Sequence, residues 1–125
     1  MILGLGIDLL ENTRVEQELA RGDWPPDDGI FTPGEISYCS SAGRPALCYA
    51  SCFAAKEATL KALRVQAGDL AMFREVELRP GIDGGHTITL HDRLKTESEQ
   101  VGVRRIRLSI AHSGNQTAAV VILEA

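Results

Sequence analysis

The sequence predicts an α+β domain in which an antiparallel sheet packs around one long central helix. Three observations predict it. The chain opens on an apolar run, MILGLGID (1–8), that reads as a buried strand. An alanine-rich segment without Gly or Pro, CFAAKEATLKAL (52–63), reads as helix. From residue 73 the hydrophobic period changes to two, so the order becomes strand, helices, two strands, helix, two strands. The 125 residues suggest one domain, 1–125, long enough to bury about two-thirds of its unfolded surface.

The opening run ends at Asp8. Its Gly4-Leu5-Gly6 triplet is no dinucleotide loop, because the third glycine is missing and the glycines lie inside the strand. They permit close backbone packing or a bend. LLENTRVEQELA then carries Leu9, Leu10, Val15 and Leu19 in a helical pattern. Asp8 and Glu11, three apart, fit a capping box for that helix. The other reading of Asp8 is a metal ligand where strand meets helix, and spacing alone favours the cap. Arg14 and Arg21 are seven apart and lie on similar sides: a solvated face, or a basic patch for an acidic partner. RGDWPPDDG is a loop.

In IFTPGEISYCSSAGRP, Thr32 is a cap, Pro33 the first helical residue and Glu35 the capping-box acid. This short helix ends near Ala42 and Gly43, and Pro45 opens the central helix. The central helix is expected from about Ala46 to about Val65, with Gly68 in the turn beyond. Phe53, Leu60 and Leu63 share one side, while Ala54, Ala58 and Ala62 recur at i, i+4. Glu57 and Lys61 lie one turn apart, and Lys56 sits beside Glu57, in a segment otherwise fit for burial. Taken alone, Glu57 and Lys61 read as an exposed salt bridge worth a few tenths of a kcal/mol.

Val76 and Leu78 of FREVELRP point one way, and Glu75, Glu77 and Arg79 the other. HTITLHD alternates through Ile88 and Leu90, so the two runs predict an antiparallel hairpin across GIDGG. HDRLKTESEQVG is a short polar helix stopped by Gly102. RIRLSIAH sets Ile106, Leu108 and Ile110 against Arg105, Arg107 and Ser109, and TAAVVILEA follows the SGNQ turn as a mostly apolar strand.

Net charge is −4 and no Lys/Arg-rich run appears, which argues against nucleic-acid binding. No apolar run approaches the roughly 18 residues of a membrane span, and the N-terminus lacks a signal-peptide pattern. Cys39, Cys48 and Cys52 are an odd number without CxxC spacing, which predicts a reduced, cytoplasmic protein rather than a disulfide framework. Cys48 and Cys52, one turn apart, could bind a metal together; a small buried hydrophobe is the other role of each.

GLGIDLLENTRVE, FAAKEATLKAL and LSIAHSGNQTAAVVI, in that order and in a chain of this length, resemble the holo-acyl-carrier-protein synthase family of small 4′-phosphopantetheinyl transferases. The resemblance implies that fold, and transfer of the phosphopantetheine arm of coenzyme A to a serine of a carrier protein, with release of adenosine 3′,5′-bisphosphate. It implies Mg²⁺ held by Asp8 and Glu57, so the cap reading of Asp8 takes second place. The chemistry suits this. A pyrophosphate crowded with charge needs a hard cation, and Mg²⁺ takes only one or two protein carboxylates. Lys61 matches the family's lysine near the phosphates. Glu57 or a water on the metal takes the serine proton, and both remain open. Arg44 and His112 match family positions that face coenzyme A and its 3′-phosphate; without the family, His112 reads as a strand-end histidine. His86 and His91 have no such match and read as surface residues. Arg14 and Arg21 match positions that receive the acidic helix of the acyl carrier protein. A homotrimer with sites between subunits is also implied.

Four departures stand out. Cys52 replaces an arginine, residues 64–68 replace a Gly-Thr-Gly turn, His86 replaces a proline, and Ala111 replaces a serine. With Asp8, Glu57 and Lys61 intact, these fit a divergent active member serving a specialised carrier, such as that of a polyketide or other secondary pathway. The alternatives are a degenerate, non-catalytic paralogue that binds carrier protein or coenzyme A, and a generic α+β binding module.

Overall fold

The computed structural model describes residues 1–23, 29–66 and 70–125. The strand β1 (Ile2–Glu11) leads into helices α1 (Asn12–Ala20), α2 (Pro33–Ser40) and α3 (Pro45–Leu63). A 3₁₀ turn (Leu70–Glu75) precedes the hairpin β2 (Val76–Pro80) and β3 (His86–Leu90). Helix α4 (Asp92–Gln100) and strands β4 (Arg105–Ser113) and β5 (Gln116–Glu124) complete the chain. The antiparallel strands divide into a three-stranded sheet, ordered β1-β5-β4, and the two-stranded hairpin. The expected α+β class and the long central helix hold. The expected turn residue Gly68 and residues 24–28 of the expected loop lie outside the described residues.

The N-terminal boundary differs from expectation. Pairing with β5 continues past Asp8, through Asp8↔Ala119, Leu9↔Ala118, Leu10↔Thr117 and Glu11↔Gln116. Leu9 and Leu10 therefore belong to the strand, and Asp8 caps no helix. The first donors of α1 are met instead from the β4–β5 turn: Asn12 N–H donates to the Asn115 carbonyl (2.7 Å) and Thr13 N–H to Asn115 Oδ1 (3.0 Å). A residue 102 positions away does what a local cap does elsewhere.

Helix α3 is buried on almost every side, as an all-round apolar helix must be. Ala54, Ala58 and Ala62 pack with Ala119, Val121 and Leu123 of β5. The same ridge meets β1 at Gly4 and Gly6, where an added Cβ would overlap the carbonyls of Ala62 and Ala58. The two glycines thus serve close packing. The opposite side, with Tyr49, Cys52 and Leu60, joins the main core with Phe31, Phe73, Val76 and Leu94.

Two charges lie inside that core. Lys56 and Glu35 are both fully buried and their Nζ and Oε1 are 2.6 Å apart. Lys56 also donates to the carbonyls of Phe73 (2.9 Å) and Val76. Glu35 accepts from the N–H groups of Thr32 and Leu78, each at 2.9 Å. The predicted capping box forms, with Glu35 N–H donating to Thr32 Oγ1 (3.1 Å). Its acid also neutralises the buried lysine, so both charges are paired and hydrogen-bonded.

Cys39 and Cys48 are joined as a disulfide, contrary to the expectation of three thiols. The end of α2 lies against the first turns of α3 and brings their Cα atoms to 5.2 Å, inside the bridging range. Where the family's Gly-Thr-Gly stands, Arg64 ends α3 in the left-handed region (φ 59°, ψ 34°). Arg64 N–H bonds the Lys61 carbonyl (3.1 Å) and Val65 N–H the Leu60 carbonyl (3.0 Å), a glycine-type cap made by an arginine.

Candidate active site

Alternation along β1 turns Asp8 toward α3, in line with Gly4, Gly6 and Leu10. There it meets the polar pair of the central helix. Lys61 Nζ donates to Asp8 Oδ1 (3.1 Å) and to the Ile7 carbonyl (3.0 Å). The lysine thus reaches across to the strand, where the spacing had suggested an i, i+4 bridge to Glu57. Lys61 is half exposed, and the Asp8 side chain retains 15% exposure. Glu57 is half-buried, and its pKa is raised by that burial and then by the charge of Asp8; Lys61 and Arg14 pull it back. Asp8, Glu57, Lys61 and Arg14 therefore share one electrostatic site. Two carboxylates that repel one another, from two rigid elements, offer hard oxygen donors to a divalent cation.

A second group lies toward the N-terminus of α3, six residues or roughly 9 Å along the axis from Glu57. A cleft of about 410 Å³ is lined by Ser51, Gly84, Gly85, His86, Leu108 and His112, among others. A neighbouring recess of about 190 Å³ shares Ser51, His86 and His112 and adds Cys48. His112 is held by a chain of hydrogen bonds. Thr117 Oγ1–H donates to Asn12 Oδ1 (2.6 Å), so the Thr117 oxygen accepts from His112 Nδ1–H (2.7 Å). In the neutral ring this leaves Nε2 as the lone-pair nitrogen, 3.3 Å from Ser51 Oγ. Burial, then Arg44, then His86 lower the pKa of His112. His86 and His112 thus line one cleft with hydrogen-bonding groups, and the charge of Arg44 reaches His112, which suits an anion.

The structure brings Asp8, Glu57 and Lys61 together and sets Arg44 near His112. Arg14 and Arg21 are both exposed on or just after α1, but they differ: Arg14 acts on Glu57, whereas Arg21 is paired with Glu18 (2.8 Å) and Asp23 (3.3 Å). His86 is exposed, as expected of a surface residue, and also borders the cleft. His91 is half-buried and bonded to Glu77 (2.9 Å). Asn12, Ser51 and Thr117 were not legible as site residues. They are common polar types, and only the register His112↔Thr117 and Leu10↔Thr117 brings them together.

Among known proteins, the sequence model of the 4′-phosphopantetheinyl transferase superfamily matches residues 4–121. The holo-[acyl-carrier-protein] synthase of Syntrophus aciditrophicus is 36% identical over 124 residues, covering 99% of this chain and 97% of that protein. The crystal structure of holo-[acyl-carrier-protein] synthase from Neisseria meningitidis superposes with a TM-score of 0.89 at 27% identity, covering all of both chains. The holo-(acyl-carrier-protein) synthase from Bacillus anthracis, solved in complex with CoA (3′,5′-ADP), superposes with a TM-score of 0.78 at 29% identity. That match covers 100% of this chain and 98% of the other.

Proposed function

Because this chain belongs to the 4′-phosphopantetheinyl transferase superfamily and is a transferase of that kind, we propose that it acts as a holo-acyl-carrier-protein synthase. It moves the phosphopantetheine arm of coenzyme A onto a serine of an apo acyl carrier protein and releases adenosine 3′,5′-bisphosphate. The observation that carries this reading is the convergence of Asp8, Glu57 and Lys61 on one side of α3, with a cleft lined by His86 and His112 further along the helix and Arg44 acting on His112.

The donor set fits Mg²⁺: oxygens only, from two carboxylates, one of them raised in pKa partly by the other's charge. Asp8 and Glu57 would hold the ion, which when bound would neutralise charge on the pyrophosphate. Lys61, half exposed and anchored through Asp8, offers its ammonium to a phosphate oxygen. Glu57, or a water beside it, would take the serine proton. Arg44 supplies a permanent charge for the 3′-phosphate. Burial, Arg44 and His86 hold the His112 pKa down without ligand; a phosphate beside it favours the imidazolium, whose Nε2–H then donates.

Arg14, close to Glu57, receives the acidic face of the carrier; Arg21, paired with Glu18 and Asp23, would exchange those partners to take part. A row on the outer face of β1, Leu5, Ile7 and Leu9, is 65%, 62% and 61% exposed. Val120 and Ile122 of β5 adjoin it on that face, an apolar area that favours packing of subunits into a homotrimer. No described helix is long and apolar enough to cross a membrane; in the cytoplasm, where this reading sets the enzyme, Cys39 and Cys48 would be reduced. The departures at Cys52 and 64–68 favour a specialised carrier, such as that of a polyketide pathway. One observation favours a non-catalytic holder of carrier or coenzyme A instead: Cys52, at the family's arginine position, is buried and offers no charge. The intact acidic pair and Lys61 weigh against it.

The test is intact-protein mass spectrometry of apo carrier proteins incubated with this protein, coenzyme A and Mg²⁺, with a chelator control. Gain of one phosphopantetheine, lost with chelator, is the expected result. No gain across a panel of carriers, with coenzyme A still bound, would overturn the catalytic reading in favour of the holder.

A further inference from the structure

The sulfurs of Cys39, Cys48 and Cys52 all lie within 4.8 Å of one another. They come from the last turn of α2 and from two positions one turn apart on α3. Cys39 and Cys48 are joined, and the Cys52 thiol lies 3.7 Å from the Cys39 sulfur. Cys39 and Cys52 are buried, whereas Cys48 lines the recess next to Ser51 and His112. We propose that, once the Cys39–Cys48 bridge is reduced, these three sulfurs bind one soft d¹⁰ cation of the Zn²⁺ or Cu⁺ class.

The geometry suits it. Metal–sulfur bonds of about 2.3 Å in a tetrahedron set sulfur–sulfur edges of about 3.8 Å, close to the separation of Cys39 and Cys52. Two ligands at i, i+4 on one helix is the arrangement that presents a pair of donors to a single metal. A dication with three thiolates carries −1; burial and then the charge of Glu35 oppose the Cys52 anion, and the buried ammonium of Lys56 favours it. Burial keeps the Cys52 thiol protonated until a cation displaces the proton. Cys48 lines the recess, from which a water or a small thiol would complete the coordination. Disulfide and metal exclude each other, because both use Cys39 and Cys48. A dithiol reductant supplies two electrons and two protons to the bridge and leaves as its own disulfide. The three thiols then take up M²⁺ and release three protons.

The experiment titrates the reduced full-length chain, without oxygen, with Zn²⁺ against a chromophoric chelator, and with Cd²⁺ while following thiolate-to-metal charge transfer. One equivalent should bind, with charge transfer corresponding to three thiolates per metal. The oxidised chain should bind none at this site, and Cys48→Ser should weaken Zn²⁺ binding and leave charge transfer from two thiolates per metal. No stoichiometric binding by the reduced chain, or equal affinity in the oxidised chain, would overturn the proposal. If Cys48→Ser fails to fold, the Cd²⁺ band of the unaltered chain decides alone: fewer than three thiolates per metal would overturn it.

Discussion

Replacing Lys56 by Met keeps the apolar stem and deletes the charge. Three interactions disappear, to Glu35 (2.6 Å), to the Phe73 carbonyl (2.9 Å) and to the Val76 carbonyl. Glu35 stays fully buried, with the N–H groups of Thr32 and Leu78 and the Cys52 thiol facing its carboxylate. Removing one member of a buried pair costs about 3–5 kcal/mol, because the survivor is left uncompensated. The whole folding free energy is only about 5–15 kcal/mol, so Tm should fall by roughly 10–20 °C. Thermal and urea unfolding by circular dichroism at neutral pH measures the loss, and a value under about 1 kcal/mol would refute the reasoning. Transfer activity well below the variant's Tm should stay within a few-fold of the parent, since Lys56 is turned into the core and not toward Asp8.

Glu57→Gln should abolish transfer at saturating Mg²⁺ yet raise metal-free stability at neutral pH by up to about 1 kcal/mol after solvent screening. The raised pKa means that ionising Glu57 costs stability as pH rises through it; a thermal scan alongside the mass assay checks both halves. Arg64→Gly should stabilise the chain by about 1 kcal/mol in urea unfolding, because the left-handed conformation at φ 59° suits glycine. Ile7→Glu should dissociate the proposed trimer in sedimentation analysis while leaving the monomer folded, since that side chain is already 62% exposed. Affinity for adenosine 3′,5′-bisphosphate should fall as pH rises through the histidine range, and titration calorimetry should record proton uptake. His112 has a lowered pKa alone and a higher one beside phosphate.

Much of the fold was legible because period and punctuation agree. The hairpin, the last two strands and the box at Thr32 and Glu35 each follow a local rule. What local rules miss is competition. Leu9 and Leu10 suit helix or strand equally well, and the ladder with β5 decides for strand. The cap of α1 then comes from Asn115, which no local window contains. Lys56 was visibly odd in an apolar helix, but its partner Glu35 looked fully occupied as a capping acid. The disulfide depends on how α2 lies against α3, which spacing alone does not report.

The site shows the same division. Glu57 and Lys61 belong to one helix, and their nearness follows from pitch. Asp8 joins them only because β1 lies directly on the backbone of α3, and that approach requires Gly4 and Gly6. A methyl at Gly6 would meet the Ala58 carbonyl, which neither helix nor sheet can move without breaking its own hydrogen bonds. The strand would have to lift, and Asp8 would lift with it, away from Lys61 and out of the field of Glu57. The glycines that failed as a nucleotide loop are thus part of the acidic site after all. They bind nothing, but they set the distance between the two elements that carry its carboxylates.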